Sequence, residues 1–276
     1  MAGFETKYGI KIEPAGLSGA AKANYVHGVR THLSWIDGTN VGQLLLKAIG
    51  WHARNNPGNL AGGVVSIQPY TGGKCNAAVG NSTSTATGWS RPTVNYSPGV
   101  YATGGPCHTA LLKASTNRGL YPDELLFHEL VHAFRGAAAR FNSAVAAGGG
   151  LSGYGNREEF IAVLTTNIYI SDPSNGSKTG LRKNWNGFAP LEKGLDGSLD
   201  FFRSSKNAFS LIDGYCKDNP AFTRWIAAVK AHFNPIAAYY GDPATARSLS
   251  NGAVALVRDG DWVGLLGNLL AGNLTP

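Results

Sequence analysis

The run Leu126-Phe127-His128-Glu129-Leu130-Val131-His132 sets two histidines four residues apart, with a glutamate after the first, inside an otherwise apolar stretch. On a helix, residues four apart share a face, so both imidazoles can point at one object with the glutamate beside it. Burying these three groups unpartnered would cost several kcal/mol, on the order of 2–7 for each polar group. A divalent metal removes that cost. The spacing predicts a helix that holds zinc through His128 and His132 and keeps Glu129 as a general base for water activated at the metal. The alternative reading is a half-exposed helix with a polar stripe.

The flanking residues define that helix. Pro122 suits the first helical position, and Asp123 and Glu124 place negative charge at the positive end of the helix dipole. Leu125, Leu126, Leu130, Val131, Ala133 and Phe134 supply apolar flanks, and Arg135-Gly136 reads as a basic last turn followed by the stop.

A catalytic zinc takes a third protein ligand and keeps one position open. The best source is Asn156-Arg157-Glu158-Glu159-Phe160-Ile161-Ala162-Val163, where Asn156 is a good N-cap and a helix is predicted to about Tyr169. The intervening Gly148-Gly149-Gly150 provides the turn. Glu159 stands at capping-box distance from Asn156 and Glu158 in the first turn, so either carboxylate can be the ligand or a plain helix-end acid. Asn167, farther along this helix, can act as a hydrogen-bond donor behind the ligands or as a surface residue. His27, His32, His52, His108 and His232 show no partner spacing and read as packing or surface histidines.

At these residues the chain resembles the zincin metallopeptidases of the glutamate-ligand type, in which HExxH is followed by a helix carrying the third ligand. Tyr154-Gly155 followed by Glu159-Phe160-Ile161-Ala162 is similar to the corresponding stretch of the lethal-factor catalytic domain of anthrax, with a Tyr-to-Glu interval two residues shorter here. The resemblance extends to the NleD-type effector metallopeptidases of bacteria through Gly9-Ile10-Lys11-Ile12, Gly42-Gln43-Leu44-Leu45-Leu46 and Leu126 to Ala133. It implies that Glu159 is the third zinc ligand and that Tyr154 is the phenol facing the oxyanion. It further implies a zinc-dependent endopeptidase, an effector or toxin delivered by a specialised secretion machine into a target cell, with a host or target-cell protein as substrate. The alternatives are a zinc-dependent hydrolase of a non-peptide substrate and a binding module with a structural metal. A structural zinc has four protein ligands and no use for Glu129.

With 276 residues, 43% hydrophobic and 15% charged, the chain can bury a sizeable core, and no linker or repeat divides it. The fold class expected is α+β and zincin-like, one domain over 1–276. A small sheet from Lys7 to Glu13, Gly63 to Tyr70 and Thr93 to Ser97 packs on helices at about 40–52 and 122–135, and the half beyond about 140 is helical. Thr71 to Pro92, rich in Gly, Ser, Thr and Asn, reads as a long loop. Phe201 to Cys216 and Asn219 to Phe233 read as helices, and Ala244 to Leu274 as a helical cap.

A net charge of +7 favours acidic partners, but only Lys178, Arg182 and Lys183 cluster, and no basic-aromatic interleaving points to nucleic acid. No apolar run approaches the ~18 residues of a membrane span, and no N-terminal signal segment is visible. A monomer is expected. Three cysteines, Cys75, Cys107 and Cys216, suit a reducing compartment, although Cys75 and Cys107 flank the long loop and could bridge in an oxidising one.

Overall fold

The computed structural model describes residues 3–72, 77–85, 88–101, 104–107, 121–144, 154, 156–175 and 206–242. Expected features at Gly148-Gly149-Gly150, the Lys178–Lys183 cluster and Ala244 to Leu274 lie outside these residues. The described elements are α1 (Gly3–Tyr8), β1 (Ile10–Ile12), α2 (Gly19–Asp37), α3 (Asn40–Asn55), β2 (Val65–Gln68), β3 (Ala78–Thr85) and β4 (Gly88–Asn95). They are followed by α4 (Pro122–Ala137), α5 (Arg157–Ser171), α6 (Lys206–Asp218), α7 (Pro220–Ala227) and α8 (Pro235–Gly241). The fold is mixed α+β, mostly helical, with one small sheet.

The sheet runs in the order β1-β2-β4-β3. β1, β2 and β4 are mutually parallel, and β3 returns antiparallel on β4 from Ala78↔Asn95 to Thr85↔Gly88. A parallel pair needs a crossover, and α2 and α3 provide the one between β1 and β2. Buried Val65, Ile67 and Val94 present the sheet's apolar side to a core shared with Leu44, Leu45 and Ile49 of α3 and with Leu126 and Leu130 of α4. All residues of α4 from Asp123 to Ala137 are buried. The HExxH helix is therefore the most enclosed helix among the described residues.

Several expectations are corrected. The stretch from Thr71 to Pro92 is no open loop, because Ala78–Thr85 and Gly88–Asn95 form a hairpin. Its alternation of small polar and β-branched residues suits an edge strand whose polar side meets water. Among the described residues the sheet thus has four strands, not three. Lys7 and Tyr8 end helix α1, and the first strand begins only after Gly9, which turns the chain at φ +62. α4 continues through Gly136; the left-handed residue that ends it is Ala139 at φ 53, followed by a hydrogen bond from Arg140 N to Arg135 O of 2.8 Å. The expected helix from Asn219 to Phe233 stops at Ala227, and Pro235–Gly241 forms a further short helix capped by Asn234. Helix α2 was not anticipated. Among the described residues no helix is long and apolar enough to cross a membrane.

The hairpin docks where α4 ends. A Cβ at Gly88 would lie 2.5 Å from the carbonyl oxygen of Phe141, so only glycine allows this approach. Gly88→Ala should lower stability by about 1–3 kcal/mol through overpacking against backbone, read as a fall in the thermal midpoint, while Gly80→Ala, with open space around its Cβ position, should be tolerated far better.

Candidate metal centre

Helices α4 and α5 pack antiparallel. Phe127 stacks on Tyr169 at 4.1 Å between ring centroids, and Tyr169 Oη donates to Asp123 Oδ2 at 2.6 Å, joining the end of α5 to the start of α4. At the other end, Arg135 Nε and Nη2 donate to Glu158 Oε2 and Oε1 at 3.1 and 2.9 Å. Between these two ties the HExxH histidines face the first turn of α5.

Three donor atoms meet there. His128 Nε2 lies 3.2 Å from Glu159 Oε2 and 3.2 Å from His132 Nε2, and His132 Nε2 lies 3.4 Å from Glu159 Oε1. Two imidazole nitrogens at 3.2 Å repel one another through their lone pairs unless something positive, a proton or a cation, sits between them. Two imidazoles and one carboxylate form a donor set that suits a divalent transition metal, zinc among them. Zinc–ligand bonds of about 2.0–2.2 Å put tetrahedral ligand atoms about 3.4 Å apart, which matches the three separations seen. His128, His132 and Glu159 are the group that could hold a metal ion among the described residues.

The electrostatics agree. Burial alone would raise the Glu159 carboxyl, yet hydrogen bonds and charge from His128 and His132 hold it well below the usual carboxylate range. Burial alone would lower His132, and the carboxylates of Glu159, Glu129 and Glu158 outweigh it and raise the imidazole.

The two candidate acids of α5 are separated by geometry. Asn156 Oδ1 accepts from the backbone N–H of Glu159 at 2.9 Å, so the N-cap forms as expected, while the Glu159 side chain turns to the imidazoles instead of closing a capping box. Glu158 is only 1% exposed and points the other way, to Arg135 and to the backbone N–H of Asn142 at 2.9 Å. Arg135 is fully buried. Its remaining donors reach Arg140 O at 2.7 Å and Asp218 Oδ2 at 3.4 Å, and Asp218 Oδ2 also receives Arg157 at 2.9 Å.

Glu129 is buried on α4 beside the two histidines. Tyr154 is buried at the entrance to α5 with its ring edge-on to Phe160 at 5.1 Å, and burial pushes its phenol up to about 12. A second phenol was not anticipated. Tyr101 is buried in the turn after β4, its hydroxyl makes no hydrogen bond among the described residues, and burial together with the charges of Glu129 and Tyr70 holds it well above the ordinary range. Nothing in the spacing of Tyr101 marks it in the sequence; its place depends on how β4 lies on α4. Asn167 is buried in α5. Cys107 is disulfide-bonded, its partner lying outside the described residues, and Cys216 is free and buried.

Comparison with protein-family models, with curated proteins and with solved structures finds no match to this chain.

Removing one partner of the Arg135–Glu158 pair leaves the other charge buried. Glu158→Gln or Arg135→Met should each cost about 3–5 kcal/mol, and Arg135→Met combined with Glu158→Met should cost less than the sum of the two singles. Denaturant unfolding of the three variants checks this; additive losses would mean that the pair is not coupled.

Proposed function

We propose that the chain is a zinc-dependent endopeptidase of zincin-like fold, with His128, His132 and Glu159 as metal ligands and Glu129 as general base. The observation that carries this reading is the convergence of the three donors at tetrahedral separations with a buried glutamate next to them on the same helix. Among the described residues three ligands converge, the number of a catalytic zinc centre with a position left for water. Zinc bound there would supply Lewis acidity, lowering the pKa of water to about 7 and polarising a carbonyl.

The chain's own residues do the rest. Glu129 accepts the proton of the attacking water and returns it to the departing amine. Tyr154 donates to the oxygen that gains charge as the carbonyl becomes tetrahedral, a phenol being protonated at neutral pH and burial holding it so further into the alkaline range. A peptide suits the architecture because β3 forms an edge of the sheet next to β4, and β4 packs on α4, so an extended segment could add to that edge. The resemblance to bacterial effector peptidases adds the target, a protein of another cell reached through a specialised secretion system, with the chain acting as a monomer.

Metal-replete wild-type chain should carry about one zinc, and His128→Ala, His132→Ala or Glu159→Ala should lose it, by elemental analysis. Glu129→Gln should keep the zinc and abolish cleavage in a proteome-wide screen, whereas Tyr154→Phe should keep the zinc and slow turnover by about 10²-fold. Absence of zinc in the wild-type chain defeats the metal reading. Zinc without any Glu129-dependent cleavage turns the reading to a non-peptide hydrolase or a binding module. A silent Tyr154→Phe beside a slow Tyr101→Phe moves the oxyanion partner to Tyr101.

A further inference from the structure

We propose that the cavity between α3, the C-terminal end of α4 and α7 is a second binding site, built for a small aromatic carboxylate. The cavity holds about 340 Å³, at the small end of the range in which proteins bury whole small molecules. Its walls are aromatic. Trp51 and His52 of α3 stand at 88° with centroids 4.8 Å apart, and Phe134 of α4 and Phe222 of α7 lie 4.5 Å apart, with Trp225 beside them. Such walls take a flat apolar body one or two rings in size.

Two polar groups of the wall are donors without a partner among the described residues. Arg140 lines the cavity, and among the described residues its guanidinium makes no hydrogen bond or ion pair. Its backbone is pinned on both sides, the N–H on Arg135 O at 2.8 Å and the carbonyl by Arg135 Nη2 at 2.7 Å, so this cation is presented from a fixed point. His52 Nδ1 lies 3.1 Å from Asn56 Nδ2, an amide nitrogen that can only donate, so Nδ1 accepts and the imidazole proton resides on Nε2. Burial lowers His52 to about 4, which keeps the ring neutral, and Nε2–H makes no hydrogen bond among the described residues.

The acid in the wall does not cancel this. Asp218 lines the same cavity, but its Oδ2 already receives Arg135 and Arg157. Arg135, Arg157, Glu158 and Asp218 balance one another, which leaves Arg140 as the uncompensated charge of this wall among the described residues. One cation and one neutral N–H donor fit a carboxylate better than a phosphate, and a cationic ligand would meet Arg140 with no free acid to offset it.

The site is independent of the metal reading, and the test keeps the two apart. The full chain, treated with chelator so that carboxylates cannot bind through zinc, is titrated calorimetrically with indole-3-propionate and with its uncharged amide. The acid should bind at one site, and about tenfold more tightly than the amide. Arg140→Gln should weaken the acid about tenfold and leave the amide unchanged, and His128→Ala should alter neither. Trp225→Ala should lose both ligands; if it fails to fold, Arg140→Gln at the rim still decides. No binding of the acid, equal binding of acid and amide, a silent Arg140→Gln, or loss of binding in His128→Ala would each overturn the proposal.

Discussion

A guanidinium removed entirely from water, as Arg135 is, would be ruinous alone, since stripping a charge of its hydration costs several kcal/mol even after relaxation. The fold meets that cost with a bidentate carboxylate from Glu158, the carbonyl of Arg140 and the shared oxygen of Asp218. Arg135 stands three residues beyond His132, and Glu158 stands one before Glu159. Successive residues of a helix diverge by about 100°, so a pair that fixes where Glu158 points also fixes where Glu159 points. With Tyr169 on Asp123 at the far end, α5 can neither rotate nor slide against α4 without breaking a buried polar contact. The separations of about 3.3 Å among the donor atoms depend on that phase, with the attraction between Glu159 and the two imidazoles acting within it.

Much of the centre was legible in the sequence. The HExxH spacing, Pro122 and the first-turn acids read directly as a helix with both imidazoles on one face, and Asn156 read as the cap of the next helix. The local pattern left Glu158 and Glu159 open, because a cap at Asn156 starts the helix equally well with either carboxylate turned inward, and only the resemblance pointed to Glu159. What decides is Arg135, which to local inspection is an ordinary basic residue of a last turn. Tyr101 was hidden for a related reason, since its position comes from a strand packing on a helix and no local pattern announces that.

The misread segments share a cause. Ala78 to Thr85 has β-branched Val79, Thr83 and Thr85 but no aromatic residue, and its Gly, Asn and Ser read as loop until it pairs with β4. In α2, Tyr25, Val29, Leu33 and Ile36 form a buried stripe at helical spacing, but it follows a turn dominated by glycine and alanine that carries no side-chain cap. Composition-based reading assigns such stretches to loops, whereas tertiary burial assigns them to regular structure.

Asp218 closes the last turn of α6 and is the most distant member in sequence of the group around Arg135. A chain cut before α6 would keep every residue of the HExxH helix and of α5, yet would leave Arg135 and Arg157 with one anion between them where two now serve. The donor triad therefore cannot be lifted out as an autonomous module from the first two thirds of the chain. Insertions and deletions between α5 and α6 would be tolerated only insofar as they return that one carboxylate to its place, so the boundary of this folding unit is set by electrostatics and not by the extent of the sheet.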